Sequence, residues 1–275
     1  MNYEDRIVAF IDILNFRGMI NDTIDARGNE NPSKIQSIYD ASEVIQHNWK
    51  GTGPDDELGR SKRVTIFSDS IVISVKADEK SQIFWTLLEI KHLIMSLIWR
   101  GILVRGAIVR GKLIHEQEKV FGPALIEAYT LESKAALYPR VILDRDLVQA
   151  AAESRSSHHS AKDEIGYVEQ LLESDSDGMY YIDYFFKAQS ELDDPDYDFP
   201  SYIEALGNIV RKGLMGSVHP SNADVRVKYS WMRERYNRMV ETVTAPLRQR
   251  DWDVEEPDEM QSFYSQLKKI SPGRR

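Results

Sequence analysis

Apolar residues recur along this chain with two periods, and the switches between them lay out the elements. Residues 6–14 form an apolar, β-branched run that reads as a buried strand, ended by the turn Asn15-Phe16-Arg17-Gly18. A polar stretch covers roughly 21–31. Pro32-Ser33 then opens a helix in which Ile35, Ile38, Ala41, Val44 and Ile45 fall at helical spacing. Gly51-Thr52-Gly53-Pro54 stops it, and an acidic loop follows. Residues 62–76 read as a β-hairpin, Arg63 to Phe67 and Ser70 to Val75 flanking a Ser68-Asp69 corner. Ile83, Leu87, Ile90, Ile94 and Leu97 make one stripe of a helix over 79–99.

A strand over 101–115 comes next, then a helix from Pro123 to Ala136, with proline in its first turn and Tyr138-Pro139 beyond its end. Arg140 to Leu143 is a short strand, and Asp144 caps a helix to about Ala152. The order through 143, β-α-β-β-α-β-α-β, predicts an α+β fold: a ferredoxin-like βαββαβ core with an added helix and strand. Residues 153–163 read as a polar loop. A last hairpin is expected near 166–186, turning at Asp177-Gly178. After the acidic loop 191–198, helices are expected over about 200–214, 222–243 and 258–268, and 271–275 as a frayed tail. The chain thus divides into an α+β domain, 1–186, and a mostly helical extension, 187–275.

Composition narrows the function. With 275 residues and 42% hydrophobic content, the chain can bury a sizeable core. No apolar run is long enough to span a membrane, since Phe84 to Val104 is broken by Glu89, Lys91, His92 and Arg100. The first residues lack the pattern of a signal peptide, and there are no cysteines, so a cytoplasmic protein without disulfides or thiolate metal sites is expected. A net charge of −9 argues against general nucleic-acid binding, which needs surplus Lys and Arg.

The sharper signal is a pair of aspartates, Asp12 and Asp69, each inside an apolar strand-like run. A carboxylate in such a run costs free energy unless hydrogen bonds or a cation satisfy it. With the first strand beside the hairpin, both reach one end of the sheet. Two carboxylates there repel unless divalent ions lie between them. Mg²⁺ or Mn²⁺ suits all-oxygen ligation and leaves positions for substrate phosphate. Alternatively, Asp12 caps a turn and Asp69 makes the hairpin corner.

The flanks of these aspartates are similar to known motifs. Phe10-Ile11-Asp12-Ile13-Leu14-Asn15-Phe16 resembles the F-x-D-I-x-G-F segment of class III nucleotidyl cyclases, the adenylate and guanylate cyclase catalytic domains. Phe67-Ser68-Asp69-Ser70, with the apolar run after it, resembles that family's second metal segment. Arg105-Gly106-Ala107-Ile108-Val109-Arg110-Gly111 looks like its R-x-G-I-x-x-G strand. Val120-Phe121-Gly122-Pro123 and Leu131-Glu132-Ser133 sit where the family has its W-G…L-E-S helix. The four segments keep the family's order over about 5–186. The resemblance implies two Mn²⁺ or Mg²⁺ ions held by Asp12, Asp69 and the carbonyl of Ile13. It implies in-line attack of the ribose 3′-hydroxyl on the α-phosphate, with N–H groups of Leu14, Asn15 and Phe16 cradling the triphosphate. It also implies a homodimer with its active sites at the interface.

Departures from the family pattern matter as much. Its transition-state Asn and Arg fall on Ile126 and Thr130, which can do neither job. Its purine-reading Lys falls on Thr65 and the acidic partner at or near Lys119. A hydroxyl and an ammonium suit the carbonyl edge of a pyrimidine. Arg105, Arg110 and Lys112 are candidates to meet phosphate in place of the missing arginine. A cyclase domain with a helical extension and this altered helix resembles the Pycsar pyrimidine cyclases of bacterial antiphage defence. That resemblance implies UTP as substrate, cyclic UMP as an antiphage second messenger, and a separate effector that it activates without a stable complex. Cyclic CMP, AMP or GMP formation is the alternative, as is a catalytically degenerate nucleotide-binding domain.

Other motifs carry less. Gly106 to Lys112 has P-loop spacing, but Leu113 replaces the required hydroxyl residue and the segment reads as strand. His115 to Glu118 lacks the second histidine of a zinc helix and reads as surface loop. His158-His159 reads as solvated. The 191–198 run lacks EF-hand spacing. Trp231, Tyr236 and Met239 read as a packing stripe.

Overall fold

The computed structural model describes residues 2–50, 61–116, 119–248 and 259–272. The Gly51–Pro54 stop signal and the acidic loop after it lie outside the described residues. The chain divides into two compact units, Met1–Asp183 and Tyr184–Arg275.

The first unit is built on a sheet of eight strands: β1 (Glu4–Ile13), β2 (Arg63–Phe67), β3 (Ser70–Lys76), β4 (Val104–Glu116), β5 (Lys119–Phe121), β6 (Val141–Leu143), β7 (Leu172–Ser174) and β8 (Tyr180–Ile182). Its order is β2-β3-β1-β4-β6-β8-β7, with β5 paired to β4. The stretch β2-β3-β1-β4 is wholly antiparallel and has the split βαβ arrangement of the ferredoxin-like fold expected from the element order. Beyond it β6 joins β4 in parallel, and the β7–β8 hairpin extends the edge.

Pleating sends alternate residues to opposite faces. On one face Val8, Val72, Val109 and Leu113 pack against Ala124 and Ala128 of helix α4 (Pro123–Lys134), with Phe10 and Leu131 at the margin. Ile7, Ala9, Ile11, Ile71 and Ile73 point the other way and are buried. Helix α3 (Gln82–Ile98) packs on β3, its stripe of Ile83, Leu87, Ile90, Ile94 and Leu97 buried as its spacing predicts.

Two glycines permit close approaches. A Cβ on Gly106 would stand 2.6 Å from the carbonyl oxygen of Phe10, so β1 and β4 meet there with no room for a side chain. Gly122, at φ 152°, lets β5 enter α4 where a Cβ would stand 2.6 Å from Lys112 O.

Four further helices complete the unit among the described residues: α1 (Phe16–Asn21), α2 (Pro32–Lys50), α5 (Arg145–Ala150) and α6 (Ala161–Gln170). Asp144 caps α5 by accepting the Leu147 N–H at 2.8 Å. Helix α6 corrects the sequence reading, which placed a polar loop over 153–163 and a hairpin from 166. Ser160 and Asp163 form a reciprocal capping box, the Asp163 N–H donating to Ser160 Oγ at 3.2 Å and the Ser160 N–H to Asp163 Oδ2 at 3.0 Å. The hairpin is accordingly shorter. Its turn is held by fully buried Arg140, which pairs with Asp175 at 2.6 Å and with Asp177, while Gly178 takes φ 84°.

The second unit is helical: α7 (Pro195–Gly216), α8 (Ala223–Arg248) and α9 (Glu259–Gln266). Phe199, Tyr202, Ile203, Leu206 and Val210 of α7 are buried. So are Trp231, Tyr236 and Met239 of α8, the stripe expected to pack. Among the described residues no helix is long and apolar enough to cross a membrane.

Candidate active site

The last register positions of β1 bring the two aspartates to one end of the central strands. Asp12 lies opposite Ser70 of β3 on one side and Arg105 of β4 on the other. The next N–H, that of Ile13, donates to Asp69 O at 2.9 Å, and left-handed Ser68, at φ 57°, turns the hairpin corner. Asp69 is therefore placed one residue beyond the position paired with Asp12, and both side chains are half-buried.

Two partners complete the corner. Glu132, near the end of α4, is only 2% exposed, and its Oε1 lies 2.6 Å from Arg105 Nε. That contact is an ion pair without hydrogen-bond alignment. Glu132 Oε2 accepts the Ser133 hydroxyl at 2.8 Å. The same Arg105 Nε lies 3.5 Å from Asp12 Oδ2. Apart from Asp12 and Glu132, no described group engages the Arg105 guanidinium.

Asp12, Asp69 and Glu132 are three carboxylates to one guanidinium, a formal excess of two negative charges. The Asp12 carboxyl is pushed up to about 6, chiefly by burial and then by the Glu132 charge; Arg105 opposes the shift and Asp69 adds to it. A hard divalent cation is the partner that relieves such an excess through oxygen ligands. Among the described residues no three His, Asp or Glu side chains form a ready ligand cluster. Ligation here would rest on Asp12, Asp69 and main-chain oxygen, with Glu132 held back by Arg105.

Other expected residues are distributed differently. Arg110 is corrected: five residues from Arg105, it lies on the opposite face of β4, where it bonds Asp5 at 3.0 Å and Glu153 at 2.5 Å. It is remote from Asp12 and unavailable to phosphate there. Lys112 has the same parity as Arg110 and pairs in register with Asp5. The phosphate cradle is also narrower than expected. Leu14 donates its N–H to Leu103 O at 2.8 Å, leaving the Asn15-Phe16 turn, in which Asn15 is left-handed at φ 62°. On α4, Ile126 is 69% exposed and the Thr130 hydroxyl donates back to Ile126 O at 2.6 Å.

Thr65 lies on the face that carries Asp12, opposite Val72, which in turn faces Phe10. Its hydroxyl is 2.9 Å from His115 Nε2. His115 is not the surface-loop residue its charged neighbours implied: it is 4% exposed on β4. Its Nδ1 is 2.8 Å from Ser74 Oγ, which accepts from buried Arg6 Nε at 2.9 Å. Burial above all, with Arg6 and Arg63 nearby, holds the imidazole down at about 4, so it is neutral at pH 7. Lys119 is exposed on β5, opposite Glu116.

No family model matches this chain, and no curated protein matches it. Distant likenesses occur among solved structures. One is a bacterial light-regulated adenylyl cyclase, at 13% identity and TM-score 0.37, covering 56% of this chain and 82% of that one. Another is the adenylyl cyclase CyaB from P. aeruginosa, at 10% and 0.41, covering 66% and 94%. A third is the catalytic core of a rhodopsin-guanylyl cyclase with converted specificity in complex with ATPalphaS, at 13% and 0.36, covering 66% and 96%.

Proposed function

We propose that the first unit is a metal-dependent nucleotidyl cyclase that converts UTP to 3′,5′-cyclic UMP and pyrophosphate. The observation that carries this reading is the anionic corner itself. Two half-buried aspartates meet where β1 ends beside the β2–β3 turn, with negative charge in excess of the one guanidinium beside them. Two Mn²⁺ or Mg²⁺ ions bound there would lower the pKa of an attacking hydroxyl and stabilise a leaving phosphate. Asp12 and Asp69 supply the anionic ligands, and the Ile13 carbonyl is assigned as a third. The Asn15-Phe16 turn faces the β- and γ-phosphates. Arg105, its Nε edge anchored on Glu132, turns its terminal nitrogens to the α-phosphate and takes the role that Thr130 cannot. The O3′–Pα bond forms as the bond to the bridging oxygen breaks, pyrophosphate leaves, and the hydroxyl proton passes to water. Positioning and charge stabilisation account for most of the rate.

Thr65, stationed by neutral His115, and Lys119, which lies opposite Glu116 at the far end of β4 from Arg105, are assigned to the uracil carbonyl edge of the partner protomer's nucleotide. A second copy of the chain completes the site. Phe67 beside the aspartate corner is 79% exposed, and Ile126 and Tyr129 on α4 are 69% and 55% exposed, a share of apolar surface that a partner would cover. Cyclic UMP would act as an antiphage signal on a separate effector, in the cytoplasm. A degenerate nucleotide-binding domain is the second reading, favoured by Ile126 and Thr130.

Purified protein incubated with each of the four radiolabelled nucleoside triphosphates and Mn²⁺ separates these readings. Cyclic UMP as the main product is expected. Cyclic CMP, AMP or GMP instead would overturn the base assignment, and no product from folded protein would favour the degenerate domain.

A further inference from the structure

The helical unit carries a cavity of about 510 Å³ that the proposed chemistry does not use. Leu214 and Met215 from the end of α7, Val218 from the turn after it, and Ile270 line its apolar side. Met215 and Val218 are 77% and 57% exposed, so this apolar wall is open to water. The segment bearing Ile270 is fixed in place. Asn237 of α8 accepts the Ile270 N–H at 2.8 Å and donates to its carbonyl at 2.9 Å.

Four cations rim the same cavity: Arg211, Arg226, Lys268 and Lys269. Lys269 is paired with Glu241. Arg226 is held by two carbonyls, Leu214 O at 3.2 Å and Pro272 O at 3.0 Å, and Arg211 donates to Asn208 Oδ1 at 3.2 Å. Among the described residues no carboxylate pairs with Arg211, Arg226 or Lys268. Three cations with no carboxylate partner among the described residues, around an aliphatic floor, are out of keeping with a chain of net charge −9.

We propose that this cavity binds a single-chain acyl anion, its aliphatic tail on Leu214, Met215, Val218 and Ile270 and its carboxylate or phosphate head between Arg226 and Lys268. Guanidinium forks suit either head, and an unbranched Met wall adapts to a flexible chain. Among the described residues no aromatic ring lines the cavity for a nucleobase to stack on, and Ser271 is the one uncharged polar residue there. Its volume falls in the range of small-molecule sites.

Calorimetry on the full chain tests this, with dodecanoate and dodecyl phosphate below their micelle concentrations. Dodecanol, UMP, and phosphatidylglycerol vesicles serve as the other arms. Both anions are expected to bind at one site per chain, with dodecanol at least about tenfold weaker, a difference of roughly 1.4 kcal/mol. Lys268→Glu, at an exposed position, should weaken both anions at least about tenfold. Met215→Gln should weaken them several-fold with an unchanged melting curve. Equal binding of dodecanol, uptake of many molecules per chain, tighter binding of UMP or vesicles, or affinities unmoved in both variants would overturn the proposal. The cyclase assay is independent of every one of these outcomes.

Discussion

The two ends of one sheet face handle charge in opposite ways. At the Arg6 end a buried guanidinium is matched group by group, to the Ser74 hydroxyl and carbonyl, to the Ser61 carbonyl and to Glu4. The imidazole beside it stays neutral. At the Asp12 end, one guanidinium serves two carboxylates with a third close by, and the Asp12 carboxyl sits far above its ordinary range. Charge that serves the fold is satisfied within the chain. Charge left in excess at the Asp12 end is what the proposed cations would balance.

The strongest way to break this comparison is to remove the excess. Asp69→Asn or Asp12→Asn should cut cyclic nucleotide formation by a factor on the order of 10³, as loss of a key electrostatic group does, with the circular dichroism spectrum unchanged. Activity surviving in Asp69→Asn would end the metal assignment. The opposite end should behave in reverse. Arg6→Ala removes a donor from Ser74 and from the Ser61 carbonyl in the interior and should cost about 2–3 kcal/mol of stability, read by urea unfolding.

Glu132→Gln sharpens the contrast. It frees Arg105 to close on Asp12, and the Mn²⁺ affinity read by calorimetry should fall about 10- to 100-fold, as for other residues that orient ligands. An unchanged affinity would show that Glu132 plays no part in setting the corner.

The smallest effect is in pH, and its sign differs between the ends. Asp12 has a folded pKa of about 6, above its unfolded value. Protein kept in chelator should therefore gain stability at this residue as pH falls from 7 through 6 toward 4, by about 1–2 kcal/mol. His115, with a folded pKa of about 4, lies below its unfolded value, so its contribution is lost as pH falls from about 6.5 toward 4. Unfolding midpoints of the parent, Asp12→Asn and His115→Asn proteins at pH 7 and 5 separate the two. A shift of the same sign in both differences would refute the assignment.

The strand that carries Asp12 and the hairpin that turns at Asp69 were legible because their apolar runs and the turn residues at 15–18 and 68–69 are local signals. The ferredoxin-like order followed from them. Arg110 was misassigned although its spacing held the answer, since five residues along a strand always change face. The Ser160-x-x-Asp163 signature of α6 was likewise present and was outweighed by the polarity of 153–163. Glu132 is different. It stands 27 positions from Arg105 in sequence, and only the packing of α4 across the sheet brings the two together. His115 was hidden in the same way, because its charged neighbours read as solvent while β4 carries it over Ser74 and Thr65.

Gly106 gives the anionic corner a peculiar dependence. A single methyl group at that position would act as a wedge, driven against the Phe10 carbonyl between the two strands that carry Asp12 and Arg105. The spacing of acid and base at the corner is thus gauged by an atom the chain does not possess, one rung of the ladder away from the Asp12–Arg105 pair.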